Sequence, residues 1–150
     1  MNNINPINWT MKIKKLHLDA IIPEYATEGS VAFDLHSLGY YNIFPDYQKL
    51  IRTGLSVEIP IGFEMQIRQR SGLSIKYPNY IMNSPGTIDS DFRGEILIPL
   101  RNNSENKWYI RHGDRIAQAI ISPIIKVKFI EVNDLNKTKR GKGGFGHTGI

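Results

Sequence analysis

The chain has 150 residues, with 19 Lys+Arg against 14 Asp+Glu, a formal charge of +5 and no cysteine. This length suits one domain with a self-sufficient core, and the missing thiols exclude disulfide frameworks, thiolate zinc sites and a cysteine nucleophile. Hydrophobic residues at 41% against 22% charged residues exclude wholesale disorder.

The segment Met1 to Thr10 is Asn-rich and lacks a basic run followed by an apolar one. No later stretch approaches the roughly 18 apolar residues of a membrane span, so the chain reads as soluble and cytoplasmic, with no membrane partner. Charge is unevenly placed. Lys137, Lys139, Arg140 and Lys142 give the tail +4 without a single acid, leaving +1 for everything before it. Basicity is a property of the tail.

In chain order, alternation of apolar and polar residues predicts short strands at Leu55–Ile59 and at Phe63–Arg68, the cleanest case. A short helix is expected from Ser71 through Lys76, stopped by Pro78. Strands follow around Ile96, Ile98 and Leu100 and at Ile125–Phe129. Punctuation such as Pro60-Ile61-Gly62 and Asn102-Asn103-Ser104 separates them, which points to an all-β barrel or sandwich. The Gly- and Lys-rich segment from Lys137 is a flexible tail by composition, unless it closes over something.

Four segments can carry chemistry. Arg70-Ser71-Gly72-Leu73-Ser74 puts a cation, a hydroxyl and free backbone N–H groups at the start of a helical turn, which suits phosphate and equally suits a plain helix cap. Gly86-Thr87-Ile88-Asp89-Ser90-Asp91-Phe92-Arg93, if extended, sets Asp89, Asp91 and Arg93 on one face. Two carboxylates beside an Arg can hold a water near a general base; the bland alternative is a solvated turn. In Gly113-Asp114-Arg115-Ile116-Ala117-Gln118, a turn feeds a strand whose alternation sends Gln118 to the side of Ile116.

The fourth segment, Arg140 to Gly149, formally holds Gly-x-Gly-x-x-Gly at Gly141, Gly143 and Gly146. With no helix to follow, it is not a dinucleotide fingerprint, and without Lys-Ser/Thr after Gly146 it is not a Walker loop. What remains is a strip of backbone N–H groups that can wrap phosphate, with the Phe145 ring available to stack on a base. His17, His36 and His112 lack metal-ligand spacing.

Together with Ala32-Phe33-Asp34-Leu35, these segments resemble, in order, the five motifs of the trimeric deoxyuridine triphosphatase family, spanning residues 32 to 149. The resemblance implies an all-β, distorted jelly-roll-like barrel with one short helix and a C-terminal Gly-rich arm. The barrel would occupy residues 1–136 and the arm 137–150. It implies a homotrimer that hydrolyses dUTP to dUMP and pyrophosphate with Mg²⁺. Asp89 would deprotonate the water that attacks the α-phosphorus, and Gln118 would lie near that water and the α-phosphate. Arg70, Ser71 and Gly72 would hold phosphates, and Asp34 would organise the water shell of the metal. Asn83 with Gly86, Thr87 and Ile88 would read uracil. Arg140, Phe145, Gly146 and Thr148 would close over the nucleotide.

The sequence departs from the family pattern at Phe92, where Tyr is common, and at His147, where Ser is usual. A ring at position 92 would still exclude a 2′-hydroxyl by contact. Two rival classes are a single-stranded nucleic-acid-binding barrel and a dCTP deaminase or non-catalytic nucleotide-binding relative of the same superfamily. The paired acids Asp89 and Asp91, and the lack of a basic stripe outside the tail, speak against nucleic acid.

Overall fold

The computed structural model describes residues 9–145 and 147. Strands β1 (Lys12–Lys15), β2 (Phe33–His36), β3 (Tyr41–Ile43), β4 (Gln48–Arg52), β5 (Leu55–Glu58) and β6 (Phe63–Arg68) precede the short helix α1 (Ser71–Lys76). After it come β7 (Tyr80–Ile81), β8 (Gly86–Ile88), β9 (Leu97–Arg101), β10 (Trp108–Ile110) and β11 (Arg115–Pro123). The strands pair antiparallel in four ladders, β1-β5, β10-β3, β2-β11-β6-β8 and β4-β9-β7.

One apolar cluster joins all four ladders. It takes Leu55 and Val57 from β5, Ile43 and Ile110 from β3 and β10, Phe33, Leu35, Met65, Ile67, Ala117 and Ala119 from the largest sheet, and Ile51, Ile98 and Leu100 from the fourth. The alternation read in Phe63–Arg68 sends Met65 and Ile67 inward, which leaves Glu64, Gln66 and Arg68 on the opposite face. The all-β, jelly-roll-like expectation with one short helix therefore holds, and the helix occupies the predicted residues. The ladders do not close on one another, so the expected barrel is an open arrangement of sheets.

Two local expectations fail for physical reasons. Ile125–Phe129 alternates as a strand should, but β11 ends at Pro123, and the segment beyond finds no neighbouring ladder among the described residues. Its apolar side chains lie open, with Ile125 92% and Phe129 90% exposed. In the other case β8 stops at Ile88, and the chain turns as Phe92 N donates to Asp89 O at 3.2 Å. Asp89, Asp91 and Arg93 consequently share no strand face.

Two devices fix the loops around the core. Gly54 adopts a φ of +70°, and a Cβ there would lie 2.8 Å from Ala20 Cβ and 2.9 Å from Leu38 Cδ2. Both the backbone and the space therefore require glycine. Asn102, fully buried, donates from Nδ2 to Ile43 O and Asn106 O, each at 2.8 Å. Its Oδ1 accepts from Ser104 N at 3.0 Å and Ser104 Oγ at 2.7 Å, so one amide ties β3 to the turn after β9. Replacing Asn102 by Ala strands those partners, and urea unfolding is expected to show a loss of about 3 kcal/mol; a loss below about 1 kcal/mol would mean that water substitutes for the amide.

Candidate active site

The site begins on the outer face of the sheet β2-β11-β6-β8. Phe33 and Leu35 point into the core, so Asp34 and His36 point out. On β11, His36 stands opposite Arg115 and Asp34 opposite Gln118, with a register shift between Arg115 and Ala117. The shift matters because residues three apart on a regular strand face opposite sides. The extra residue at Ile116 lets Arg115 and Gln118 both face outward beside Asp34. The expectation that Gln118 shares a side with Ile116 is thereby corrected: Ile116 is core, whereas Gln118 lines a cleft.

That cleft encloses about 490 Å³ and is lined by Asp34, Arg70, Ser71, Gly72, Arg115 and Gln118, together with Glu24 and the loop from Gly29 to Ala32. Asp34 Oδ1 accepts from Arg70 Nε at 2.6 Å and Oδ2 from Arg115 Nη1 at 3.3 Å. Gln118 Nε2 donates to Gln69 O at 2.9 Å, anchoring the residue just before the helix. Two guanidiniums share the Asp34 carboxylate, which fixes both cations at the cleft while Glu24 adds a second acid to its lining. Ser71 and Gly72 open α1, where first-turn N–H groups have no helical acceptor. A cleft with fixed cations, a hydroxyl and free amides is built for an anion with several oxygens.

His36 lies beneath this cluster. Burial is the main cause holding its imidazole below the ordinary value of 6.5; Asp34 pushes it up, while Arg115 and Arg70 push it down. Its Nδ1 is buried without a hydrogen-bond partner. Neither His36 nor Arg115 is singled out by the sequence pattern, because period-2 alternation without the bulge turns Arg115 away from Asp34.

The second group of candidate residues gathers elsewhere. Gly86, Thr87 and Ile88 form the edge strand β8, paired through β6 by Gly86–Ile67, Thr87–Gln66 and Ile88–Met65. Gly86 is closely confined: a Cβ there would lie 3.1 Å from Asn83 Nδ2 and 3.4 Å from Ile67 Cβ. Asn83 is thus brought against the start of β8, as a joint role requires. Asp89 follows immediately but lines a different hollow, of about 250 Å³, with Glu64, Asp91 and Lys126. Ile88 pairs with Met65, three residues or roughly 10 Å short of the Arg68 end of β6 from which Arg70 departs, and Asp89 lies further on in the opposite direction, beside Glu64. One copy of the chain does not bring Asp89 to the cleft.

Arg140 and Phe145 are exposed and line neither hollow; Arg140 Nε donates to Gly143 O at 2.9 Å within its own turn. Gly146 and Thr148 lie outside the described residues.

A family description for dUTPase matches residues 19–149. The chain belongs to the dUTPase family. Among its relatives, the deoxyuridine 5′-triphosphate nucleotidohydrolase of Nautilia profundicola is 51% identical over 139 residues, covering 93% of this chain and 98% of the relative. The protein of the same description from Helicobacter pylori strain P12 is 44% identical over 140 residues, covering 93% and 97%. In three dimensions the fold resembles that of the Staphylococcus bacteriophage 80alpha dUTPase solved with dUPNHPP, with a TM-score of 0.87 at 26% identity over 94% of this chain and 99% of that one. In this chain the Arg-Ser-Gly run stands at the helix start just after β6, and the Gly-x-Ile-Asp run lies on β8, the edge strand that pairs with β6.

His36 gives this site a pH signature. With its folded pKa below the ordinary 6.5, the histidine is neutral in both states at higher pH. As pH falls below that value, the unfolded chain takes up a proton that the folded chain resists, so stability declines until the folded imidazole is protonated. As pH falls below 6.5, the urea midpoint of the wild type is expected to drop more steeply than that of His36→Gln. Parallel curves would show that burial does not depress this imidazole.

Proposed function

We propose that this chain hydrolyses dUTP to dUMP and pyrophosphate as a homotrimer whose active sites are shared between copies, which keeps uracil out of DNA and supplies dUMP for thymidylate synthesis. Family membership carries the substrate. The observation that carries the shared site is the separation of Asp89 from the Asp34–Arg70–Arg115 cluster across the sheet. A base must come within about 3 Å, directly or through one water, of the proton it removes, and within one copy Asp89 lines a hollow that shares no residue with the cleft. A second copy can present its β8 end to the cleft of the first.

In the composite site, Arg70, Ser71, Gly72 and Arg115 hold the triphosphate by charge, hydroxyl and backbone amide. Asp89 accepts a proton from a water placed by Gln118. The water oxygen bonds to the α-phosphorus, and the bond to the oxygen bridging to the β-phosphorus breaks. Pyrophosphate departs with that electron pair. Such chemistry rests on positioning and charge neutralisation, which the cleft supplies.

The donor set fits Mg²⁺ held largely by substrate. The described residues offer no cluster of three or more metal-ligating side chains, and Mg²⁺ favours few carboxylates, several waters and phosphate oxygens. Each Asp34 oxygen accepts one Arg hydrogen bond and retains a lone pair for a metal-bound water. When bound, the ion would neutralise phosphate charge.

Uracil is read by Asn83 and the backbone of Gly86, Thr87 and Ile88. An edge strand presents fixed donors and acceptors, and a pyrimidine with the wrong pattern leaves buried groups unpaired. Phe92 contacts the deoxyribose. The arm then closes: Arg140 and Thr148 meet phosphate, Phe145 stacks on the base, and Gly146 lets the backbone approach. The 15 residues from Asn136 to Ile150 can extend about 50 Å, against a domain radius of gyration of about 15 Å, so a neighbour's site is within reach. The open Ile125, Val127 and Phe129 are also the kind of surface that a neighbouring copy covers.

Pyrophosphate release from dUTP, dCTP, dTTP and UTP tests the activity: dUTP is expected to be turned over far faster than the other three, and equal turnover of dTTP would overturn the reading. In the same assay Asp89→Asn is expected to bind dUTP while kcat falls about 10²–10⁴-fold. Sharing is tested by refolding Asp89→Asn together with Arg70→Ala. In random trimers, about a quarter of sites regain both side chains if these come from different copies. No recovery would place them in one copy.

A further inference from the structure

The turn after β8 is held more firmly than its exposure suggests. Arg93 Nη1 donates to the carbonyl oxygens of Ser90 and Phe92, both at 2.8 Å. Arg93 O accepts from Ser56 Oγ on β5 at 2.7 Å. Glu95 Oε1 accepts from Gly54 N at 2.8 Å and from Arg52 Nε at 3.1 Å, and Ile96 N donates to Leu55 O at 2.8 Å. The backbone from 93 to 96 is therefore tied to the core.

Onto this tied backbone the Phe92 ring folds over Gly94. A Cβ at Gly94 would stand 2.5 Å from Phe92 Cζ, 2.9 Å from Cε2 and 3.3 Å from Cε1. Non-bonded carbons settle at about 3.5–4.0 Å, so a methyl group at 94 displaces the ring by roughly 1 Å. The glycine is required here for space, since its backbone lies outside the left-handed region. The ring remains 40% exposed and so can meet a ligand.

We propose that Gly94 is a specificity-determining position: its bare Cα sets the depth at which the Phe92 ring rests, and that depth admits the 2′-carbon of a deoxyribose while rejecting a 2′-hydroxyl. The inference rests on the reading of Phe92 as the sugar contact. Gly94 acts through that ring and is a positioning residue. The atoms that a new methyl group meets are the far end of a partly exposed side chain, which can swing away. The cost falls on sugar fit before it falls on folding.

The test is the ratio of kcat/KM for dUTP to kcat/KM for UTP in the wild type, Gly94→Ala, Phe92→Ala and the double variant. Gly94→Ala is expected to lower the ratio about tenfold, chiefly through KM for dUTP, with the scale that one methyl-sized misfit supports. In the Phe92→Ala background it is expected to change nothing further. An unchanged ratio in Gly94→Ala, or an undiminished effect without the ring, overturns the proposal. If Phe92→Ala alone leaves the ratio intact, the reading of Phe92 fails and takes the proposal with it; if Phe92→Ala lowers the ratio and Gly94→Ala does not, only the proposal fails. Should Gly94→Ala not fold, recovery of folding in the double variant would report the same clash, and its absence would overturn the proposal.

Discussion

The register shift at Ile116 is the constraint on which the candidate site depends. Without it, β11 would place Arg115 and Gln118 on opposite faces, and Asp34 would have one guanidinium for a partner in place of two. With it, a single strand feeds Ala117 and Ala119 to the core and still offers two polar side chains three residues apart to one cleft. The alanines are small because β11 lies between β2 and β6 in the middle of the sheet, over the packed Leu35 and Ile67. The core and the anion site are therefore two faces of one ladder, and a disturbance of pairing is felt by both.

Charge around Asp34 is arranged so that two guanidiniums are held in place for a ligand, although Glu24 brings the cleft lining to two acids and two bases. A lone carboxylate beside two guanidiniums orients both without cancelling both, and the planar Arg fork suits paired oxygen acceptors. His36 adds no further charge at neutral pH, because burial and the two Arg residues disfavour its protonation more than Asp34 favours it. A protonated imidazole there would compete with the arginines for the same carboxylate. Depressing its pKa leaves Asp34 to the two groups that face the cleft.

Much of this arrangement was legible in the sequence, and what was not has a physical cause. β6 and α1 appear at the residues their patterns predicted, since strict alternation and a Pro stop are local signals. Asp34, Arg70, Ser71, Gly72 and Gln118 do meet in one cleft. Arg115 escaped notice because a bulge breaks the period on which face assignments rest, and no residue in Gly113 to Gln118 announces where it falls. Ile125–Phe129 carries the alternation of a strand without becoming one, since a strand is defined by the neighbour that receives its hydrogen bonds. Asp89, Asp91 and Arg93 were assigned one face on the premise of extended backbone, and Phe92 N closing onto Asp89 O ends that premise after Ile88.

The same locality explains why Asp89 and Arg70 belong to one motif set yet sit apart. Each motif is compact, so each builds its own fragment: a cleft of arginines, hydroxyl and amides around Asp34, and an edge strand that ends in a separate hollow with Asp89. Within one copy the two are kept apart along β6, whose outer face between them carries Glu64, Gln66 and Arg68 bonded to one another. Joining them between copies requires only that one edge meet another, and leaves each core intact. The basic, glycine-rich tail follows the same logic, since among the described residues Arg140 and Phe145 line neither hollow of their own fold.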